Sequence, residues 1–316
     1  MLFIQAILRR ETVLAVAALA ALATWLAPFS SVFDLFRHTW PVWFASACMA
    51  FTIAAAHRRW RTAALAIGLG IVIALPAWTG FALSRPEAHA DGGDVRLRLV
   101  THNIFGRGGA RAADIAGILA ASTPDLIALQ EVWNSGPDVV AALQADYAHV
   151  SDCDGGPTRL LSRHPFVDAG CLPGWMPRYR LPGLKVNPAA WGEIELPTGE
   201  RVLVIAVHLP WPSPLNAQEE QMARLTEFLA SRPTDRAIVL GDFNAAPPAL
   251  ILDRMERDWC LIRRTRSLPT WPAFPFELAG IDHVYAGEAW STATIRRLPE
   301  TGSDHRALEI ELDLDR

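Results

Sequence analysis

The sequence predicts an α/β protein in which three transmembrane helices precede a globular domain of two packed β-sheets covered by outer helices. Three observations lead to this fold class. Long uncharged apolar runs fill the first 84 residues, strand-like and helix-like patterns alternate after residue 94, and reactive side chains recur where predicted strands end. We therefore expect an anchor over residues 1–84, a linker over 85–93 and a globular domain over 94–316.

The apolar runs extend from Thr12 to Phe29, from Thr39 to Ala56 and from Thr62 to Ser84. Each is close to the roughly 20 residues that a helix needs to cross a bilayer. Tryptophans such as Trp25 and Trp78 lie near the run ends, where amphipathic rings favour the membrane interface. The alternative is a buried helical hairpin in a globular domain, since the first two runs are at the short end of the spanning range.

Arginines set the expected orientation. They precede the first run and crowd the turn between the second and third runs, whereas the first turn holds only Arg37; the two groups are Arg9 and Arg10, and Arg58, Arg59 and Arg61. The positive-inside rule then places the N-terminus in the cytoplasm and the globular domain on the outer side. We predict a multi-pass protein of the cell inner membrane with a periplasmic domain. The motif Ala88-His89-Ala90 resembles a signal-peptidase site, so cleavage is the alternative to a retained anchor.

The charge of the globular domain limits its partners. After residue 90 the chain holds 22 cationic and 30 acidic residues, a net charge of −8. A protein that relies on phosphate-backbone attraction for nucleic-acid affinity usually carries a basic surface. This balance weakens a nuclease function without excluding it.

Three cysteines lie in the globular domain: Cys153, Cys171 and Cys260. Because an oxidising compartment permits one pair among them, we predict a disulfide between Cys153 and Cys171, across a Gly155-Gly156-Pro157 turn that folds the chain back as a hairpin, with Cys260 free. No CxxC pair or Cys/His cluster has zinc spacing, so a structural zinc site has little support.

The elements of the globular domain follow from periodicity. Alternation in Asp94 to Asn103 predicts a strand that ends at Asn103, and one apolar face predicts a helix over Arg111 to Ala121. The same reasoning predicts further strands at Leu126–Leu129, Arg159–Leu161, Val202–Val207, Ala237–Leu240, Ile281–Tyr285, Thr292–Arg297 and Ala307–Leu312, and a helix over Pro214–Ser231. So many strands with few helices favour two sheets.

Five short stretches carry the chemical signal: Thr101-His102-Asn103, Leu129-Gln130-Glu131, Gly241-Asp242-Phe243-Asn244, Ile281-Asp282-His283 and Gly302-Ser303-Asp304-His305. Each is weak alone, but the ordered set resembles the endonuclease/exonuclease/phosphatase superfamily, over roughly Val95 to Leu312. This resemblance implies a four-layer α-β-β-α sandwich with the active site at one edge of the two sheets. It also implies a metal-dependent phosphoric ester hydrolase.

The resemblance assigns a role to each motif residue. Glu131, Asn103 and Asp304 match the family's residues at a divalent cation, Mg²⁺ or Mn²⁺, which oxygen ligands suit. Asp242 matches the residue that orients or deprotonates water, and Asn244 a donor to the phosphoryl oxygens.

Two histidines complete the implied site. His305 matches the family's acid/base or phosphate-polarising histidine, Asp282 the carboxylate that fixes its tautomer, and His208 a second catalytic histidine. Which histidine protonates the leaving group stays open at the level of sequence. Arg163 matches a motif whose arginine can face phosphate. We interpret His102, His164 and His283 as structural, because strand alternation aims His283 away from Asp282.

Three functions compete. The first is hydrolysis of a phosphate bond in a lipid-linked or envelope substrate at the bilayer, the second an anchored extracytoplasmic nuclease, and the third a non-catalytic ligand-binding module. The third is disfavoured because each part of the matched machinery is present. Trp175, Trp211 and Trp271 lie in Pro-rich loops and are either substrate or membrane contacts or loop packing.

Overall fold

The computed structural model of the chain describes residues 10–83, 95–105, 111–153, 156–172, 189–212, 217–266, 268–275 and 277–315. These residues form two compact units. The first contains the N-terminal helices with Pro212 and residues 246–252, and the second contains the rest of the globular part. The predicted linker, the Ala88-His89-Ala90 motif and Trp175 lie outside the described residues.

Within residues 10–83 the chain forms four α-helices: α1 (Arg10–Leu26), α2 (Ser31–His38), α3 (Trp40–Ala56) and α4 (Trp60–Leu83). Small side chains fill the space between α1, α3 and α4, with Ala17, Ala21 and Ala47 packed around Ile73. Small residues allow helices to approach closely where apolar surroundings give no hydrophobic drive to associate.

Two stretches of this unit, Glu11–Phe29 and Trp60–Trp78, are long and apolar enough to cross a membrane. The middle predicted span differs, because α2 and α3 meet at a 66° bend and form a third candidate only when taken together. Thr39 at the bend is not helical and Pro41 lies in the first turn of α3, where proline is tolerated. The prediction of three spans is therefore narrowed to two clear candidates and one bent pair.

The second unit contains twelve strands in its described part: β1 (Arg96–Asn103), β2 (Leu126–Gln130), β3 (His149–Asp152), β4 (Arg159–Ser162), β5 (Phe166–Leu172), β6 (Ala189–Glu195), β7 (Arg201–His208), β8 (Ile238–Asp242), β9 (Ile262–Arg263), β10 (Asp282–Ala286), β11 (Trp290–Arg297) and β12 (Leu308–Leu314). They form two six-stranded sheets, in the orders β11-β12-β1-β2-β4-β3 and β5-β6-β7-β8-β10-β9. The pairs β1–β2 and β7–β8 are parallel, and the other pairs are antiparallel.

Helices cover the outer faces of both sheets. On the first sheet lie α5 (Ala112–Ala120) and α6 (Gly136–Leu143), whose apolar residues pack against the outward side chains of β1 and β2. On the second lie α7 (Ala217–Ala230), with Phe228 5.4 Å from Trp191 between ring centroids, and α8 (Leu250–Trp259), with Trp259 6.3 Å from Phe243. Two mixed sheets between helices agree with the predicted α/β sandwich.

Strand alternation builds the core between the sheets. Leu97 and Leu99 of β1 pack in one cluster with Val204 of β7 and Leu240 of β8, all fully buried or nearly so. Full burial of such a side chain contributes about 1.5–3 kcal/mol. The same alternation directs the last residue of several strands into the space between the sheets, where the apolar cluster ends.

The predicted disulfide between Cys153 and Cys171 is confirmed, with 5.2 Å between the Cα atoms, and Cys260 is free. The expected reason was wrong. Cys153 follows β3, at the edge of the first sheet, and Cys171 lies in β5, at the edge of the second, so the bond joins the two sheets rather than the arms of one hairpin. Closing a loop of this length stabilises the fold by about 3 kcal/mol in the chain-entropy model.

Candidate active site

Residues predicted to be functional gather where strands of both sheets end: Asn103, Glu131, His208, Asp242 and Asp282. Parallel pairing brings the ends of β1 and β2 together, with Asn103 opposite Gln130, and likewise brings His208 opposite Asp242. Asp282 begins β10 directly opposite Asp242, because β8 and β10 are antiparallel.

Alternation explains why Asn103, His208, Asp242 and Asp282 point inward. Asn103 has the same parity as Leu97 and Leu99, and Asp242 the same parity as Leu240, and these leucines lie in the cluster between the sheets. Side chains two residues apart share a face of a strand. The candidate active site is therefore the polar end of the inter-sheet core.

Asp242 is the hub of the site and is 1% exposed. Its Oδ2 accepts a hydrogen bond from Asn103 Nδ2 at 2.9 Å, and its Oδ1 accepts from the backbone N–H of Asn244 at 2.8 Å. The same Oδ2 lies 3.4 Å from His208 Nε2 and 3.8 Å from His305 Nε2. Burial raises the pKa of Asp242, and the two imidazoles oppose that rise.

His305 and Asp282 form a buried pair, with 3.0 Å between Nδ1 and Oδ2. Burial alone lowers the pKa of His305, but the carboxylates of Asp282 and Asp242 outweigh burial and raise the pKa to about 10. The imidazole is then charged at neutral pH, its Nδ1–H donates to Asp282, and its Nε2 side faces Asp242.

The turn before β12 holds His305 in place. Ser303 Oγ donates to the carbonyl of Asn103 at 2.7 Å and accepts from the backbone N–H of His305 at 3.0 Å. One hydroxyl thus fastens the turn to the end of β1. Sequence reasoning did not identify Ser303, although it stands inside the Gly302-Ser303-Asp304-His305 motif.

Backbone strain concentrates at the same strand ends. Glu131 has φ 56° and Asn244 has φ 48°. Asn tolerates the left-handed region, whereas a glutamate there is uncommon and costs of order 1 kcal/mol or more. Gly241 has φ 146°, and a Cβ there would meet the carbonyl oxygen of Val207 at 2.0 Å, so the motif needs glycine at this point.

The donor set fits a hard divalent cation. Asp242, Asp282 and His305 each offer a ligand atom within 4.8 Å of the others. Among the described residues, Asp282 Oδ1 and Asp304 Oδ1 are buried oxygens that accept no hydrogen bond. Oxygen donors that lack partners are what Mg²⁺ or Mn²⁺ satisfies, whereas a charged His305 is a poor ligand. A cation therefore suits the carboxylate oxygens of this site better than the charged ring of His305.

Glu131 lies beside His208, with Oε1 4.0 Å from His208 Nε2 and a quarter of its side chain exposed. Asn103 is more constrained than a simple ligand, because its Oδ1 accepts the backbone N–H of Phe105 at 3.0 Å while its amide donates to Asp242. Asn244 is constrained similarly, since its Nδ2 donates to the carbonyl of Leu209 at 2.8 Å.

Arg163 is not brought to this site. It follows β4, which runs antiparallel to β2 with Ser162 opposite Leu126, so it lies beside the start of β2 while Glu131 follows the end. Its guanidinium donates to the carbonyl of Thr123 at 3.4 Å. The predicted phosphate contact of Arg163 is therefore corrected, because antiparallel pairing carries it to the opposite end of the sheet.

Three histidines make structural hydrogen bonds, as predicted. His102 Nε2 lies 2.7 Å from Thr301 Oγ1, and His283 lies between Thr265 Oγ1 at 2.9 Å and the carbonyl of Ala245 at 2.8 Å. Burial lowers the pKa of both to about 3, so each stays neutral. His164 Nε2 pairs with Asp125 Oδ1 at 3.1 Å, at the far end of the sheet.

Gln218 of α7 is a supporting residue that sequence reasoning missed. Its amide is buried and donates to the carbonyls of Pro210 at 2.9 Å and Phe243 at 2.8 Å. It therefore joins the segment after His208 to the turn that carries Asp242. A lone glutamine on a helix gives no sequence signal for this role.

Comparison with known proteins places this arrangement in a wider group. The model of the endonuclease/exonuclease/phosphatase family matches residues 100–305, which contain every motif residue discussed above. No curated protein matches the chain.

Solved structures share the fold. An endonuclease/exonuclease/phosphatase protein from Beutenbergia cavernae is 23% identical, with a TM-score of 0.57 over 70% of this chain and 72% of that one. A substituted beta toxin from Staphylococcus aureus with bound magnesium ions is 14% identical, with a TM-score of 0.52 over 70% and 100%. Sphingomyelinase C from Streptomyces griseocarneus is 16% identical, with a TM-score of 0.51 over 69% and 99%.

Proposed function

This chain belongs to the endonuclease/exonuclease/phosphatase family, and on that premise we propose that it is a membrane-anchored, metal-dependent hydrolase of phosphate ester bonds in a lipid-linked or envelope substrate. The observation that supports the reaction class best is Asp242 between two histidines, with Asp282 behind one of them and Glu131 beside the other. This set joins a base, a charged imidazole and a carboxylate suited to a cation at one point.

Asp242 orients the attacking water and accepts its proton in this proposal. Its two oxygens are fixed by Asn103 and by the backbone of Asn244, so its direction is set before substrate binds. Because burial raises the pKa of Asp242, the carboxylate is a stronger base than an exposed aspartate.

His305 supplies positive charge to the phosphoryl group. Asp282 holds its Nδ1–H, which fixes the ring and leaves the Nε2 side free to face the reacting oxygens. Since its pKa is raised to about 10, the ring carries its charge at neutral pH. His208, 3.4 Å from Asp242, is the second candidate to protonate the leaving group.

The site would take Mg²⁺ or Mn²⁺, which would supply positive charge to the non-bridging phosphoryl oxygens. Glu131 and Asp304 would hold the ion, and Asn103 would contribute its side-chain oxygen Oδ1 beside them. The beta toxin with bound magnesium ions supports this choice by its fold. Asn244 would donate to the phosphoryl oxygens once its amide leaves the carbonyl of Leu209.

The lipid-linked substrate is supported by the two long apolar helices and by the net charge of −8 after residue 90. The apolar helices favour a position at a bilayer, and the negative charge offers a polyanionic duplex no general attraction. An anchored nuclease is the runner-up, and a non-catalytic binding module is third.

The test measures initial rates of the full-length protein in liposomes on a phospholipid, a polyprenyl pyrophosphate, a chromogenic phosphodiester and plasmid DNA at equal metal. Glu131→Gln is the blank. Turnover of a lipid phosphate that depends on metal supports the proposal. Efficient cleavage of DNA with every lipid untouched would favour the nuclease over the proposed function. No turnover of any substrate would favour the non-catalytic binding module.

We also propose that three spans keep the N-terminus and the turn with Arg58 and Arg59 in the cytoplasm and the catalytic unit in the periplasm. The bond between Cys153 and Cys171 supports an oxidising compartment. Alkaline phosphatase fused after Gly93 should then be active. An inactive fusion, with a cytosolic reporter active at the same point, would overturn this topology.

A further inference from the structure

Two tryptophans meet beside the catalytic residues. Trp211 follows His208 by three positions, Trp271 lies on the loop before β10, and their ring centroids are 5.8 Å apart in an edge-to-face contact. Trp211 is 62% exposed, and the loop of Trp271 also exposes Phe274 at 81% and Leu278 at 56%. Large apolar side chains that cluster in water indicate a binding surface.

The backbone fixes Trp211 against the site. The N–H of Leu209 donates to the carbonyl of Asp242 at 2.8 Å, and Gln218 holds the carbonyl of Pro210. Trp211 is therefore carried by a segment that is hydrogen-bonded to the Asp242 turn on one side and to α7 on the other. These hydrogen bonds fix the backbone that carries the exposed ring of Trp211.

Trp271 is fixed to the other catalytic turn. Its indole N–H donates to Asp304 Oδ2 at 3.3 Å, and the N–H of Ala273 donates to the carbonyl of Asp304 at 2.7 Å. The carbonyl of Trp271 accepts from Leu278 at 3.0 Å and Ala279 at 2.8 Å. Both tryptophans are thus preorganised beside the turns that carry Asp242 and Asp304.

Charge decides which occupant suits this surface. Two arginines near the loop are paired with acids, since Arg297 lies 3.3 Å and Arg306 3.1 Å from the Glu277 carboxylate, and Arg306 also lies 3.4 Å from Glu300. A polynucleotide would extend further phosphates over these neutralised groups and gain little. A single phosphate joined to an apolar chain needs no unpaired arginine on the surface around the two tryptophans.

We propose that Trp211 and Trp271 form a subsite for the hydrocarbon chain of an amphiphilic phosphate, whose phosphate lies beside His305 and the cation that Asp304 would help to hold. The inference rests on the proposed function and names the part of the substrate that this chain recognises. Each methylene that the rings remove from water strengthens binding about three- to fourfold.

The test separates binding from turnover. n-Alkylphosphonates of two to ten carbons carry a phosphate-like head that cannot be hydrolysed. Their dissociation constants are measured by calorimetry on the full-length protein in nanodiscs with Mn²⁺, and empty nanodiscs give the partitioning background. For the wild type we expect affinity to rise with chain length.

Trp211→Ala should weaken binding of the longest alkylphosphonates roughly tenfold, because it loses the contribution of about two methylenes. Trp211→Phe, which keeps an apolar ring, should recover most of it. Val167→Ala removes an exposed side chain from β5 and is the matched control that should keep the wild-type slope.

The outcomes are distinct. A chain-length slope that Trp211→Ala flattens supports the subsite even if no ester is hydrolysed, in which case only the proposed function fails. If the protein hydrolyses a phosphate ester but the affinity for alkylphosphonates rises equally with chain length in wild type and Trp211→Ala, the subsite is overturned. The proposed function then still stands. If a single-stranded tetranucleotide binds through Trp211 while alkylphosphonates show no slope, the pair stacks on bases and the proposal is wrong.

Discussion

Two aspartate–histidine pairs lie at opposite ends of the sandwich, and they differ in surroundings far more than in geometry. Asp282 and His305 are 3.0 Å apart, and Asp125 and His164 are 3.1 Å apart. The side chains of the first pair are 1% and 6% exposed, and those of the second are 26% and 31% exposed. Contact distance does not distinguish the pairs, whereas burial does.

Burial changes the electrostatics of each pair. In the first, the carboxylates of Asp282 and Asp242 overcome the cost of burying charge and raise the pKa of His305 to about 10. In the second, partial burial alone raises the pKa of Asp125, but hydrogen bonds from His164 and the backbone of Arg98 outweigh it and lower that pKa. A second carboxylate, Asp242, thus lets the imidazole of the first pair keep its charge although it is buried between the sheets.

Removal of each histidine tests whether only the buried pair is needed for turnover. We expect His305→Ala to lower kcat at saturating metal more than about a hundredfold, the lower range for a positioned acid or base. Asp242→Asn should lose a similar factor, because it removes the proposed base. His164→Ala should stay within about twofold of the wild type.

Thermal unfolding of each variant separates chemistry from folding, and Asp258→Asn on the exposed face of α8 is the matched control for Asp242→Asn. Near-normal turnover in a folded His305→Ala protein would overturn the catalytic assignment. An equal loss in His164→Ala would show that the two pairs are not different in kind.

Removal of the inter-sheet disulfide should affect stability instead of chemistry. Cys153→Ser together with Cys171→Ser should cost about 3 kcal/mol, which lowers Tm by roughly 6–12 °C for a domain of this size. Cys260→Ser, which changes a free exposed thiol, should leave Tm in place. A large fall in kcat of the folded double variant at 25 °C would mean that the bond shapes the catalytic end directly.

Sequence periodicity predicted the strands that carry the site, because β1, β2, β7 and β8 have continuous or alternating apolar runs and end at reactive residues. It missed the short strands β3 and β9 and the longer strands β5 and β6. In β5 most side chains are at least partly exposed, and in β6 Ala189 and Gly192 interrupt the pattern, so neither has a clear period of two. It also missed α6 and α8.

The site itself was predictable where a motif stood at a strand end. Arg163 was misplaced because a motif match says nothing about strand direction, and only the antiparallel register of β4 with β2 shows where the residue lies. Gln218 and the Trp271–Asp304 contact depend on segments distant in sequence. Such contacts follow from tertiary packing, which local patterns do not encode.

A smaller effect is expected at Glu131, which tests the cation rather than the proton transfers. We expect Glu131→Gln to raise the metal concentration for half-maximal activity at least about tenfold, because an amide oxygen binds a hard cation less strongly than a carboxylate. Glu288→Gln, an exposed change before β11, is the control. An unchanged metal dependence with reduced kcat would remove Glu131 from the cation site.

The smallest effect is expected at the exposed pair and concerns stability against pH. Asp125→Asn keeps an oxygen that accepts the N–H of Arg98 but removes the charge beside His164. A carboxyl whose pKa is lowered by folding stabilises the protein above its unfolded pKa of about 3.9, and this contribution is lost as pH falls through the lower native value.

The deficit of Asp125→Asn should therefore be present at pH 7 and shrink below about pH 4. Because the pair is partly exposed, the deficit should not exceed about 1 kcal/mol. Urea unfolding of wild type and variant between pH 3 and pH 7 measures it, and kcat should stay within about twofold of the wild type. A deficit that does not change with pH would assign the effect to hydrogen-bond geometry. A large fall in kcat would join this pair to the catalytic end and remove the contrast between the two pairs.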